Sequence, residues 1–255
     1  MHAVVVPATP LLAPALAGSG RGVAAAAEAV RGAARDAVAG LVSELRAAGG
    51  GAGWTVVCIG TGATTGPHPT GSWGTLAGFG VLVEAPAGHD GRPPGLPPSL
   101  TVGAWLLDRA GCPAEALVLH EVDRDASPSA ALAVGRDLEG VAREGGGAVG
   151  WLVVGDGSTT RGPRAPGGHD PRGERFDAQV AAALAAGDAA ALAALDPATA
   201  ATVGAAGRSA WQVLAGAALL RAGSTRAAAA PLRARLLLDE APFGVGYLVA
   251  RWSPA

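Results

Sequence analysis

The chain has 255 residues, of which 49% are apolar and 16% charged, so it is long enough to bury a sizeable core. Its formal net charge of -2 predicts neither a nucleic-acid surface nor an acidic tail, and no apolar run is long enough to span a bilayer. Two cysteines, Cys58 and Cys112, are too few for a disulfide framework, which predicts a reduced, cytoplasmic protein. From the charge and the apolar runs we expect no nucleic-acid and no membrane partner.

The first half of the sequence alternates strand and helix patterns. A short apolar run at 2–6 predicts a buried strand. No basic residue precedes this run and Pro7 and Pro10 follow it, so we do not expect a signal peptide. The patterns that follow predict, in order, a helix over 21–48, a strand over 54–59 that stops at Gly60, a loop over 61–78, a strand over 79–84, a loop over 85–98, and a helix capped by Ser99 that runs to Ala110.

The second half continues the alternation and ends in strands. The expected elements are strands over 115–122 and 148–154 around a helix over 128–144, a polar loop over 155–173, helices over 174–222 broken near Pro197 and Gly207, and strands over 232–238 and 246–252. Strands that alternate with helices predict an α/β fold over residues 1–255: a single domain with a mixed, largely parallel sheet and helices on both faces.

Three loops rich in small polar residues follow predicted strands, at 7–10, 60–65 and 155–161. Ligands of open α/β sheets bind beyond the carboxyl ends of the strands. If these strands are neighbours, the loops form a cleft lined by hydroxyl groups, Asp156 and Arg161. Ordinary turn chemistry is the alternative, since turns use the same residue types.

Several segments resemble one known family over nearly the whole chain. They read VVVPATPLLAP, VVCIGTGATTGP, LPPSLTVGAWLLDRAG, WLVVGDGSTTRGPRAPGGHDPRGERFD, AGRSAWQVLAGA and APFGVGYLVARW, and the most specific pieces are VVGDGS and APFGVGYLVA. The sequence is similar to the LigB-like superfamily, which includes the class III extradiol ring-cleavage dioxygenases and the Memo-like proteins. More narrowly, it resembles uncharacterised actinobacterial members. This resemblance implies the fold of the catalytic B subunit of those dioxygenases.

The resemblance also implies a site. Active members hold Fe(II) with two histidines and a carboxylate, and a further histidine acts as acid and base. The matching positions here carry Ala8, Thr65 (or Thr64) and Thr159, and Ala206 matches a cysteine of Memo-like proteins. Alanine has no ligand atom and a neutral hydroxyl is a poor Fe(II) ligand, so we expect the iron chemistry to be lost.

Other histidines offer a substitute metal site. The candidates are His68, His89, His120 and His169, of which His68 and His169 follow cleft loops. With Glu240 as carboxylate, His68 and His169 are the alternative metal ligands. No pair has the close spacing of a metal motif, so a chain without a metal is favoured.

Two functions remain open. The preferred one is a degenerate family member that binds a small aromatic or anionic ligand, or a protein partner, without a cofactor. The alternative is an active Fe(II)-dependent extradiol dioxygenase with non-standard ligands. A hydrolase that uses Ser158 ranks third, because the Gly-x-Ser-x-Gly elbow is absent. A homo-oligomer is compatible with the resemblance.

The site residues expected on this basis fall into two groups. The catalytic candidates are Asp156, Ser158, Thr159 and His169. The candidates that line the ligand-binding cleft are Thr9, Thr65, His68 and Arg161.

Overall fold

The computed structural model describes residues 1–13, 21–50, 53–87, 93–223 and 232–255, with side chains from residue 25 onward in the first helix. Its strands are β1 (His2–Val6), β2 (Trp54–Gly62), β3 (Gly66–Pro67), β4 (Gly74–Thr75), β5 (Glu84–Ala85), β6 (Leu117–Asp123), β7 (Ala148–Val154), β8 (Leu232–Glu240) and β9 (Tyr247–Pro254). Its helices are α1 (Arg21–Gly49), α2 (Pro98–Arg109), α3 (Pro128–Glu144), α4 (Pro171–Ala186), α5 (Ala189–Ala193), α6 (Pro197–Val203) and α7 (Arg208–Ala222).

The main sheet has seven strands in the order β3-β6-β2-β7-β1-β9-β8. The four central strands β6, β2, β7 and β1 run parallel, whereas β3, β9 and β8 are antiparallel to their neighbours. Strands buried on both faces explain why β1 and β7 are almost continuous apolar runs. The predicted mixed α/β fold is confirmed.

Apolar side chains form a core on each face of the sheet. Under one face, α1 and α2 pack on Val4, Val56 and Leu152. Under the other face, α3, α4 and α7 pack around Trp151 and Trp211. In the part of the chain that the structure describes, no helix is both long and apolar enough to cross a bilayer.

Several predicted elements are confirmed. The helix expected over 21–48 is α1, and the helix over 128–144 is α3. Ser127 caps α3, because its hydroxyl accepts the N–H of Ala130 at 3.2 Å. Cys58 and Cys112 are both free thiols.

Three sequence predictions are wrong in detail. The strand expected over 79–84 is not part of the main sheet; a 3-10 turn over Ala77–Phe79 ends at Gly80, Val81 is buried in the core, Leu82 is 98% exposed, and a short strand over Glu84–Ala85 pairs with β4 instead. Ser99 does not cap α2, which begins at Pro98; its hydroxyl instead donates to the carbonyl of Thr61 at 2.7 Å. The strand expected to stop at Gly60 continues to Gly62, because β6 pairs with it to its end.

Candidate functional site

Strand order brings the three polar loops together. The loops after β1, β2 and β7 leave the same edge of the sheet, because β2, β7 and β1 are parallel neighbours. The cleft expected from the sequence requires these strands to be neighbours. The strand order also places Asp156 close to the loop after β1.

Asp156 is a carboxyl group with few partners. Its Oδ1 accepts the N–H of Ala8 at 2.8 Å. Among the described residues, Oδ2 has no hydrogen-bond donor, and no cationic side chain forms an ion pair with the group. Desolvation raises the pKa of Asp156 to about 7, although the Ala8 N–H opposes the shift. The residue is nevertheless partly exposed, so a ligand can reach it.

An aromatic and a hydroxyl group lie beside Asp156. The Tyr247 hydroxyl donates to Thr9 Oγ1 at 3.4 Å, and both residues are buried. Burial raises the pKa of Tyr247, the Thr9 hydrogen bond lowers it, and the charge of nearby Asp156 raises it. Phe243 packs edge-on against Tyr247, with 6.5 Å between the ring centroids. Asp156 therefore faces an aromatic and polar environment.

Ser158 has a structural role in this loop. It is fully buried, its hydroxyl donates to Asp177 Oδ2 at 2.8 Å, and its N–H donates to Asp177 Oδ1 at 2.8 Å. Burial raises the pKa of Asp177, while the Ser158 hydrogen bonds and the charge of Arg161 lower it. No histidine contacts Ser158 among these interactions, so the geometry is not that of an activated nucleophile.

Arg161 links this loop to the last hairpin. Its guanidinium lies 2.6 Å from Asp239 and 3.7 Å from buried Asp177. The backbone N–H of Arg161 also donates to the carbonyl of Gly244 at 3.0 Å. Because two carboxylates already neutralise it, this arginine is poorly placed to bind an anionic ligand.

The remaining site candidates are spread over the surface. His169 is exposed in the loop before α4, and Glu240 is exposed at the end of β8. The structure does not bring them together with His68: among the described residues, no group of three or more His, Cys, Asp or Glu side chains could hold a metal ion. His89 lies outside the described residues.

The residues that match the iron-ligand positions of the dioxygenases that the sequence resembles do not fit Fe(II). Ala8 presents only a methyl group. The exposed Thr65 accepts the N–H of Asp123 at 2.9 Å, and Thr159 donates to the carbonyl of Val203 at 3.3 Å. Two imidazoles and a carboxylate cannot be assembled from these positions.

The structure also reveals a pair that sequence reasoning missed. His68 Nε2 lies 3.0 Å from Glu121 Oε2. Desolvation raises the pKa of Glu121, but hydrogen bonds from Thr64, Ala63 and His68 outweigh it, and the net pKa is lowered. The available signal was a charged residue inside the buried strand LVLHEVD.

No family model and no curated protein matches the sequence. Among solved structures, the chain is similar to uncharacterized protein JW3007 from Escherichia coli K12, with a TM-score of 0.46 and 13% identity over 98% of this chain and 99% of that one. A similarity at this level carries no argument about function.

Proposed function

We propose that the protein is a degenerate LigB-like relative that binds a small hydroxylated aromatic ligand at the carboxyl edge of its sheet, without iron chemistry. The proposal rests on the environment of Asp156 at the end of β7. Its carboxyl group is partly exposed, accepts one backbone hydrogen bond and has no cationic partner among the described residues. A perturbed carboxyl group in such a position is typical of a ligand-binding or catalytic site.

The contrast with Asp177 supports this interpretation. Asp177 accepts two hydrogen bonds from Ser158 and lies near Arg161, so its role in the fold is evident. Among the residues that the structure describes, Asp156 accepts only the Ala8 N–H, which leaves one oxygen free to accept a ligand hydroxyl. A group that costs stability and contributes little to the fold points to a role in binding.

The surroundings favour a neutral aromatic ligand over an anion. Ala8, Leu11 and Phe243 are partly exposed apolar residues that pack on the same core as Tyr247. An ionised Asp156 repels an anion but accepts a hydrogen bond from a phenolic hydroxyl. Arg161, which would attract an anion, is already paired with Asp239.

The test measures catechol binding by isothermal titration calorimetry at pH 8, with protein purified without chelator. We expect wild type to bind catechol and Asp156→Asn to bind it at least about tenfold more weakly, because a charge-assisted hydrogen bond is lost. The matched control is Asp137→Asn, which removes an exposed carboxylate on α3 and should leave binding unchanged.

Two results would overturn the proposal. Stoichiometric iron in the purified protein, together with oxygen-dependent consumption of catechol, would establish the dioxygenase alternative. If wild type and Asp156→Asn bind catechol equally, or neither binds it, the carboxyl edge is not the ligand site.

A further inference from the structure

His68 lies at the far edge of the sheet, away from Asp156. It directly follows β3, in which Gly66 pairs with Glu121 and Pro67 pairs with His120. The N–H of His68 donates to the carbonyl of Leu119 at 2.9 Å, which continues the ladder. Strand pairing therefore fixes the backbone from which this imidazole extends.

The Glu121 carboxylate orients the imidazole. Its Oε2 lies 3.0 Å from His68 Nε2, and its Oε1 accepts the N–H of Thr64 at 2.9 Å. Gly62 leaves room for this carboxylate, since a Cβ there would overlap Oε1. Because an ionised carboxylate only accepts hydrogen bonds, the proton of the neutral imidazole lies on Nε2.

The opposite ring nitrogen is left as an acceptor. Nδ1 of His68 has no hydrogen-bond partner among the described residues. In sites where a carboxylate holds one imidazole nitrogen, the other is positioned for a proton donor or a metal. No third metal-ligating side chain joins this pair in the described part of the chain, which favours a proton donor.

A cavity of about 170 Å³ is lined in part by His68. Its walls include His68, Pro69, Ser72, Pro86 and Leu119. An apolar cavity of about 150 Å³ is large enough for benzene, so this one has room for a single ring. Mostly apolar walls disfavour a charged occupant.

We propose that this cavity binds an uncharged, single-ring molecule whose N–H or O–H group donates a hydrogen bond to Nδ1 of His68. The site is distinct from the Asp156 site, because Asp156 does not line this cavity and strand β2 lies between β6 and β7, the strand that Asp156 follows. Glu121 is a positioning residue, since it acts on the ligand only through the imidazole.

The test uses pyrazole, which carries an N–H donor, and 1-methylpyrazole, which lacks it. Isothermal titration calorimetry of the full chain should show that pyrazole binds at least about tenfold more tightly, because bound 1-methylpyrazole covers Nδ1 without donating a hydrogen bond to it. His68→Phe, which keeps a ring but removes the acceptor, should abolish this difference. Asp137→Asn, which removes an exposed carboxylate on α3, should leave pyrazole binding unchanged. The pyrazole test does not involve Asp156, so it and the catechol test can fail separately.

A second measurement on wild type needs no variant. The ¹⁵N chemical shifts of the His68 ring should show a proton on Nε2 and none on Nδ1 when the imidazole is neutral. The proposal is overturned by a proton on Nδ1, by equal affinity for the two probes, or by no binding of pyrazole at millimolar concentration.

Discussion

At the scale of single residues, Asp156 is a desolvated carboxyl group that destabilises the fold when it is ionised, and it is partly exposed to solvent. Its pKa rises from 3.8 to about 7 through desolvation, which the single Ala8 N–H only partly offsets. The sequence singled out Asp156 because it follows a predicted strand. It did not predict that Asp156 would have no cationic side chain as a partner among the described residues. Arg161 is the nearest candidate in sequence, but it forms ion pairs with carboxylates far away in sequence.

Stability should therefore depend on pH through Asp156. Because the folded-state pKa is raised, the stability contributed by this group is greatest at low pH and is lost as pH rises from about 4 to about 7. A pKa shift of this size changes the free energy of unfolding by about 4 kcal/mol, and the partial exposure of Asp156 reduces this change to about 2 kcal/mol. We expect the advantage of Asp156→Asn over wild type to grow between these pH values and stay constant above them.

Urea denaturation at pH 4, 6 and 8 measures this difference. Asp137→Asn, on the exposed face of α3, is the control and should follow wild type at each pH. A constant offset between Asp156→Asn and wild type at all three values would contradict the desolvation argument.

At the scale of elements, α3 and α7 pack through two glycines. A Cβ on Gly135 would overlap the carbonyl oxygen of Val213 in α7, and a Cβ on Gly216 would overlap the carbonyl oxygen of Leu132 in α3. The two helix backbones therefore approach each other directly. Hydropathy predicted both helices, but this contact depends on how they cross over the sheet.

Glycine-to-alanine substitutions in α3 should have opposite effects. Gly135→Ala should lower the unfolding free energy by about 3 kcal/mol, because backbone atoms must move and the helices separate. Gly140→Ala should raise it by about 0.5–1 kcal/mol, because no atom lies within 4 Å of its Cβ and alanine favours the helix. Thermal unfolding of both variants distinguishes the effects; a stabilised Gly135→Ala variant would refute the close contact.

At the scale of the whole molecule, the ends of the chain meet in the sheet. The N-terminal strand β1 lies between β7 and the C-terminal strand β9. Residues from all parts of the sequence thus contribute to one sheet, which supports the single-domain prediction. A chain arranged in this way should lose its two cores together.

Unfolding in urea should accordingly be one transition. In a variant in which Trp54, Trp73 and Trp105 are replaced by phenylalanine, tryptophan fluorescence reports the core that holds Trp151, Trp211 and Trp252, because the replaced tryptophans lie outside that core. Far-UV circular dichroism of the same variant also reports α1, which packs on the opposite face. We expect the two curves to coincide within error. Separate midpoints would show that the two faces unfold as independent units.

The sequence by itself determined the α/β class, most of the element order and the loops that meet at the carboxyl edge. These features follow from local periodicity, turn residues and the apolar character of buried strands. Tertiary structure alone decided which polar groups are paired: His68 meets Glu121 across 53 residues, Ser158 is held by Asp177, and Asp156 is left with Ala8. The reason is that hydrogen-bond partners depend on strand order and helix placement, which bring together residues that local sequence patterns do not relate.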